Sequence, residues 1–269
     1  MNTSMSEISL LVLAAGRGSR LGTATADLPK WLLPVAGRTI ANRQADAIGE
    51  WQLEGFQKRL VVSGYQAGMV AAFLADFRPE FDVIVNRDWA RANNWLSLLL
   101  GLQTIYDGSF AGDVIVVNGD VLVPRNAFRR LAGDERSGHV KLQLLVDFDA
   151  DLTDESMKTS VRRRGDSIEV TGIGKRDVGS AEAEFVGISR LSYEGAGQIL
   201  QILRTFGADS GSRDNWYEHA YERMIQAALD ASKDIEVEAV PINGEAWVEI
   251  DSPQDLAVGE AMVLNAARH

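Results

Sequence analysis

The chain has 269 residues, 27 Lys and Arg against 38 Asp and Glu, a net charge of −11, three His and no cysteine. It is long enough to bury a full core, its acidity argues against nucleic acid as a partner, and the lack of cysteine excludes disulfides and thiolate metal sites and fits a reducing, cytoplasmic setting. No apolar run approaches the ~18 residues of a membrane span, so no membrane partner is expected, and the opening MNTSMSEIS lacks the order of a secretory signal.

Leu10–Leu13 is an apolar run that predicts a buried strand. It runs into a loop of small residues holding two cations: Ala14, Ala15, Gly16, Arg17, Gly18, Ser19 and Arg20. Small side chains let a ligand reach the backbone, and successive N–H groups form an anion-binding concavity. Lys30 arrives behind Pro29, so strand, loop and converging cations suit a triphosphate. A dinucleotide fingerprint fails because Leu21 stands where its third Gly or Ala belongs, and a P-loop lacks both the spacing and the adjacent Lys.

Further along, Thr39–Gly49 reads as a helix, Arg59–Ser63 as a strand ending at Gly64 and Tyr65, and Ala67–Phe77 as a helix. Phe81–Val85 is a strand ending at Asn86, Trp95–Thr104 a helix, and Asp113–Val117 a strand ending at Asn118, Gly119 and Asp120. Such alternation predicts a parallel α/β sheet with right-handed crossovers. Then the rhythm changes to short strands with little helix: Val140–Val146, Ser160–Arg164, Ser167–Gly172, Phe185–Ser189 and Ile235–Pro241, with a hairpin turn at Arg164-Gly165-Asp166. Asn215–Ala231 and Asp251–Ala267 read as the last helices. With no repeat and no linker, one continuous domain over 1–269 is expected.

Ligands of open α/β sheets bind outside the carboxyl ends of the strands. That rule selects the 14–20 loop, Gly64, Tyr65, Asn86, Gly119 and Asp120. Asp120 reads either as a carboxylate for a triphosphate-bound Mg2+ or as a cap on the next turn. Glu249 and Asp251 alternate on a strand and face one side, which is costly unless a cation offsets them. Asp251 also reads as a helix N-cap, and Asp255 as the capping partner of Ser252. Trp216, Tyr217, Glu218 and Tyr221 offer aromatic faces and a carboxylate, a combination that holds ammonium groups. The two tyrosines equally fit the core of an amphipathic helix.

Over its whole length, Leu10–Gly37 (LLVLAAGRGSRLGTATADLPKWLLPVAG) resembles the nucleotidyltransferase motif L-A-A-G-x-G-S/T-R-L…P-K-x-L-L-P-V-x-G. That family includes sugar-1-phosphate nucleotidylyltransferases and the small cytidylyltransferases for phosphocholine, 2-aminoethylphosphonate and other phosphonates, and inositol phosphate. The resemblance implies a Rossmann-like, three-layer α/β/α fold with a mostly parallel mixed sheet, of the nucleotide-diphospho-sugar transferase-like kind. It also implies Mg2+-dependent transfer of CMP from CTP to a small phosphate or phosphonate acceptor, with release of pyrophosphate. Residues 1–135 would bind the nucleotide and 136–269 would shape the acceptor pocket.

By the same resemblance, Arg20 and Lys30 are catalytic, and Asp120 is a metal ligand, although Leu122 replaces the second acid of a D-x-D. Trp247–Asp255 is similar to the W-x-E/D-I/V-D-T/S-P-x-D close of cytidylyltransferases, which implies Asp251 as the second Mg2+ ligand with Glu249 beside it. Leu13, Ala14, Ala15, Gly16, Arg17, Gly18, Ser19, Gly64, Tyr65 and Gly119 are implied to bind the nucleotide. Asn93, Asn94 and Ser97, in an N-N-x-x-S-L segment, are implied to contact base or ribose. Elements similar to D-E-x-M-K, I-G-K and E-F-I-G imply Lys158, Lys175 and Glu184 near the acceptor, joined by Trp216, Glu218 and Glu249. A sugar-1-phosphate enzyme using UTP, GTP or dTTP is the alternative, which the short chain and the E-I-D close disfavour. A non-catalytic relative is disfavoured by the presence of Arg20, Lys30 and Asp120. A homodimer is compatible with these features.

Overall fold

The structure, a computed structural model, describes residues 8–49, 56–106, 112–132, 138–176, 178–231 and 234–266. Most of the opening MNTSMSEIS and the expected helix end at Ala267 lie outside these residues. In chain order come β1 (Ile8–Ala14), β2 (Pro34–Val35), β3 (Arg38–Thr39), α1 (Ile40–Gly49), β4 (Phe56–Ser63), α2 (Ala67–Phe77), β5 (Asp82–Val85), α3 (Trp95–Tyr106), β6 (Asp113–Asn118), β7 (Val121–Leu122) and α4 (Asn126–Ala132). There follow β8 (Leu142–Asp147), β9 (Lys158–Arg164), β10 (Ser167–Gly174), β11 (Ala183–Leu191), α5 (Tyr193–Ala208), α6 (Glu218–Ala231), β12 (Val237–Pro241), β13 (Val248–Glu249) and α7 (Pro253–Ala266).

One nine-stranded sheet runs through both halves in the order β5-β4-β1-β6-β11-β8-β12-β10-β9. β5, β4, β1 and β6 are parallel. From β11 onward the pairings are mixed: β11 is antiparallel to β6 and β8, β8 is parallel to β12, and β10 is antiparallel to β12 and β9. β1 is buried along its whole length because helices cover both sides. Leu10 and Val12 face the core shared with α1, α2, α4 and α7, while Leu11 and Leu13 face the one shared with α3, α5 and α6. The result is the expected Rossmann-like α/β/α arrangement with a mixed sheet.

The hairpin at 164–167 is present, with Arg164 paired to Ser167. Two helices were not expected, α4 and α5. Gly195, Gly197 and Gly207 weaken the helical pattern of α5. Its legible signals are Ser192, whose side chain accepts from the Gly195 N–H as an N-cap, and the buried spacing of Ile199, Leu200, Leu203 and Phe206.

Candidate active site

The loop after β1 turns at Gly18, which holds φ 71 and ψ 46. A β-carbon there would be strained, and would lie 3.0 Å from the Lys30 side chain. The turn is tied by the Leu21 N–H and the Thr25 hydroxyl, which donate to the Gly18 carbonyl at 3.0 and 2.8 Å. Lys30 opens a short 3-10 turn behind Pro29. Next to it, the Trp31 indole donates to Gln44 on α1, and Gln44 in turn donates to the carbonyls of Asn118 and Val121, both at 2.8 Å. That buried amide pins the turn carrying Gly119 and Asp120, and the Gly119 N–H reaches the Leu13 carbonyl at 2.9 Å.

The far end of the chain returns to this turn. β13 pairs antiparallel with β7, Glu249 opposite Val121, and the Ile250 N–H donates to the Asp120 carbonyl at 2.9 Å. Glu249 and Asp251 thus project beside Asp120, and each of the three acids offers an oxygen within 4.8 Å of the others. Ser252 and Asp255 cap α7 through reciprocal bonds, and Asp255 also takes the Asp251 N–H. Capping therefore falls to those two residues, and the Asp251 carboxylate turns to cations. The Lys30 ammonium donates to Asp120 Oδ2 at 2.7 Å and to Asp251 Oδ1 at 2.5 Å, while Arg20 donates to Asp251 Oδ2 at 2.6 Å. Asp120 Oδ1 is buried and has no hydrogen-bond partner among the described residues.

These charges reshape one another. Burial works to lower the Lys30 pKa, but Asp120 and Asp251 outweigh it and hold the ammonium above its ordinary range. Burial works to raise Asp251, and Lys30 outweighs it, keeping the carboxyl low. Surrounding protein, then Asp120 and Asp251, push Glu249 up to about 8, although its side chain is open to the cavity. Glu218, at the start of α6, is pushed up to about 7 by burial, with hydrogen bonds from Tyr217 and Asn94 acting the other way. Its Oε2 atom is buried and has no hydrogen-bond partner among the described residues.

A cavity of about 370 Å3 opens at the carboxyl ends of β1 and β6. Of the expected residues, Leu13, Ala15, Gly16, Gly18, Ser19, Arg20, Lys30, Asn93, Asn94, Ser97, Asp120, Lys175, Trp216, Glu218, Glu249 and Asp251 line it. Ala14, Arg17, Gly64, Tyr65, Gly119, Lys158 and Glu184 do not line it. Arg17 lies over the Tyr65 ring, 5.4 Å from its centre, and the Tyr65 hydroxyl donates to the Ala26 carbonyl. Gly64 and Gly119 are close-packing positions: a β-carbon would lie 2.6 Å from Trp89 at the first and 2.8 Å from the Leu13 carbonyl at the second. Lys158 donates to the Lys175 carbonyl at 3.0 Å, so it holds the strand end that carries Lys175. Glu184 is half-buried beside Ser156, and burial raises its pKa.

Asn93 and Asn94 spend their side-chain oxygens locally, on the N–H groups of Asn94 and Tyr217. Tyr217 and Tyr221 belong to the core, their hydroxyls paired with Asn118 and Ser189. The Lys175 ammonium sits 5.1 Å from the Trp216 ring centre and 3.0 Å from Glu155, which also approaches Arg20 at 3.6 Å. The lining also contains Asn86, which the strand-end rule had selected. Trp89, Asn118, Glu155, Met157, Phe185 and Gly187 line it as well. Trp89 lies four residues beyond the end of β5 and carries no spacing signal, whereas Asn118 directly precedes the Gly-Asp pair and is within reach of the strand-end rule.

Residues 10–141 match the MobA-like NTP transferase domain. This match spans just under half of the chain, from β1 to the segment before β8. Among curated relatives, a bifunctional protein GlmU from a Synechococcus species is 28% identical over 268 residues, covering 97% of this chain and 54% of the relative. A 2-aminoethylphosphonate cytidylyltransferase from Lancefieldella rimae is 23% identical over 250 residues, covering 92% of this chain and 89% of that protein. The chain spans no more than about half the length of the GlmU proteins that it matches. The fold is shared with the inositol-1-phosphate CTP transferase from T. maritima, with a TM-score of 0.73, 22% identity, and coverage of 97% of this chain and 96% of that one. Among the described residues no helix is long and apolar enough to cross a membrane.

Proposed function

We propose that the protein transfers CMP from CTP to a small phosphate- or phosphonate-bearing acceptor, in a Mg2+-dependent reaction that releases pyrophosphate. The observation that carries this reading is the junction of Asp120, Glu249 and Asp251, within 4.8 Å of one another, with Lys30, Arg20 and the small-residue loop on the same cavity. The donor set fits Mg2+: all oxygen, two carboxylates free of capping duties, and a buried Asp120 Oδ1 with no partner. Asp120 and Asp251 would hold the ion, which when bound neutralises charge on the phosphates.

The protein's own part is positioning and charge. Ala15, Gly16, Gly18 and Ser19 of the loop, with Arg20, line the cavity, where their backbone N–H groups and the guanidinium would hold the β- and γ-phosphates. Lys30 neutralises the α-phosphate as it becomes pentacoordinate. An acceptor oxygen forms a bond to the α-phosphorus while the bond from that phosphorus to the α–β bridging oxygen breaks. The bond's electron pair leaves with pyrophosphate, held by the same loop. No general base is required, because a phosphate or phosphonate acceptor is already ionised near neutral pH. Glu218, buried with a free oxygen, and the Trp216 face suit an acceptor with an ammonium group, such as phosphocholine or 2-aminoethylphosphonate. Similarity to a 2-aminoethylphosphonate cytidylyltransferase over most of both chains supports that class.

The test is pyrophosphate release from CTP, UTP, GTP and dTTP against a panel of amino-phosphonates, phosphocholine, polyol phosphates and hexose 1-phosphates. Release with CTP and an ammonium-bearing acceptor is expected. Release only with another nucleotide and a hexose 1-phosphate would replace this reading with the sugar nucleotide one.

A further inference from the structure

Lys30 is a buried lysine whose side chain is 9% exposed, and both of its salt bridges go to the two acids proposed to hold the metal. Its ammonium stands between Asp120 Oδ2 at 2.7 Å and Asp251 Oδ1 at 2.5 Å. We infer that Lys30 is the internal counter-cation of this carboxylate pair, and that it must leave the pair before a divalent cation can be held there. Metal and triphosphate then enter together, each making room for the other. The inference rests on the reading of Asp120 and Asp251 as metal ligands and adds an order to it.

One electrostatic argument and two structural observations support the exclusion. A divalent cation on the same two carboxylates would stand against the Lys30 ammonium, itself 9% exposed, as a like charge a few ångströms away. The Lys30 stem runs beside the loop proposed to take the phosphates. It packs along Gly18, where a β-carbon would lie 3.0–3.1 Å from Lys30 Cβ, Cγ and Cδ, so a rotation of the four-carbon stem carries the ammonium toward the phosphate loop. Arg20 holds the other Asp251 oxygen and approaches Glu155 at 3.6 Å, and at 57% exposure both contacts lie at the surface, where a phosphate can compete for it. A triphosphate therefore draws both cations off the acids, while free metal has to displace them unaided. By linkage, nucleotide and metal raise each other's affinity.

The experiment measures Mn2+ binding to the nucleotide-free enzyme by calorimetry, in the wild type and in Lys30→Met. Expected is binding at least tenfold tighter in Lys30→Met, lost again in the double variant with Asp251→Asn. Thermal melting gives a second readout on the wild type itself. Its midpoint should ignore Mn2+ alone, yet rise further with Mn2+ plus α,β-methylene-CTP than with the analogue alone. Wild-type enzyme binding Mn2+ as tightly as Lys30→Met, or melting higher with Mn2+ alone, would overturn the inference. Absence of Mn2+ binding in both proteins would overturn it too. Metal-dependent pyrophosphate release by the wild type would in that case leave the proposed function standing.

Discussion

The wall of the cavity formed by residues 13–30 and the wall facing it are built in opposite ways. The first is one continuous stretch, shaped by its own backbone: a strand end, the positive φ of Gly18, and a short turn that presents Lys30. The second assembles Glu155, Met157, Lys175, Phe185, Gly187, Trp216 and Glu218 from segments spread over more than sixty residues. The first wall offers N–H groups and cations for a ligand common to many enzymes. The second offers a buried carboxylate, an aromatic face and a lysine, the groups on which the proposed acceptor reading rests. The carboxylates that join the walls come from mid-chain and from near its C-terminal end, Asp120 after β6 and Asp251 after β13, brought together by a ladder of two residues.

The sharpest break in this picture comes at the junction. Asp120→Asn should lower kcat by about 1,000-fold or more, roughly 4 kcal/mol of transition-state stabilisation, with KM for nucleotide and acceptor changed only a few-fold. A steady-state assay with both substrates varied checks this, and near-normal turnover would remove Asp120 from the metal site. On the first wall, Lys30→Ala should lower kcat by about 100-fold with a smaller effect on nucleotide KM, and an effect confined to KM would make it a binding residue alone. On the second, Trp216→Ala should raise acceptor KM about tenfold, a cation–π contact's worth, and leave the KM for CTP in place. A matching rise for CTP would show that the walls are not separate.

The smallest effect concerns stability. Glu218 is at about 7 in the folded protein against 4.5 as a free side chain. Between those values the folded state keeps a proton that the unfolded state has lost, so this group's contribution to stability falls as pH rises from about 4.5 to 7. Glu218→Gln removes that slope. Its melting temperature should gain on the wild type as pH goes from acid to neutral, and parallel curves would place Glu218 in water rather than in the buried wall.

The same contrast explains what could be read in the amino-acid sequence. Helix Ala67–Phe77 and the strands from Leu10 to Val117 follow from local periodicity, and the wall formed by residues 13–30 is legible because its chemistry is contiguous. Glu249 and Asp251 were readable as same-facing acids, since alternation on a strand is local too. That they meet Asp120 depends on a pairing across more than a hundred residues, which spacing alone does not reveal. Arg17 and Lys158 show the limit of a motif: both sit in the right segments, yet one turns onto the Tyr65 ring and the other onto the Lys175 carbonyl. Trp89 lines the cavity because Gly64 and Tyr65 pack against it, a contact set by tertiary structure.

The most direct test of the account is a 31P NMR time course of CTP, Mg2+ and the best acceptor from the screen, with enzyme added. Attack at the α-phosphorus predicts that the three CTP resonances give way to pyrophosphate and a coupled pair from a new P–O–P linkage between CMP and the acceptor. Formation of CDP with a phosphorylated acceptor, or no change in any resonance, would contradict it.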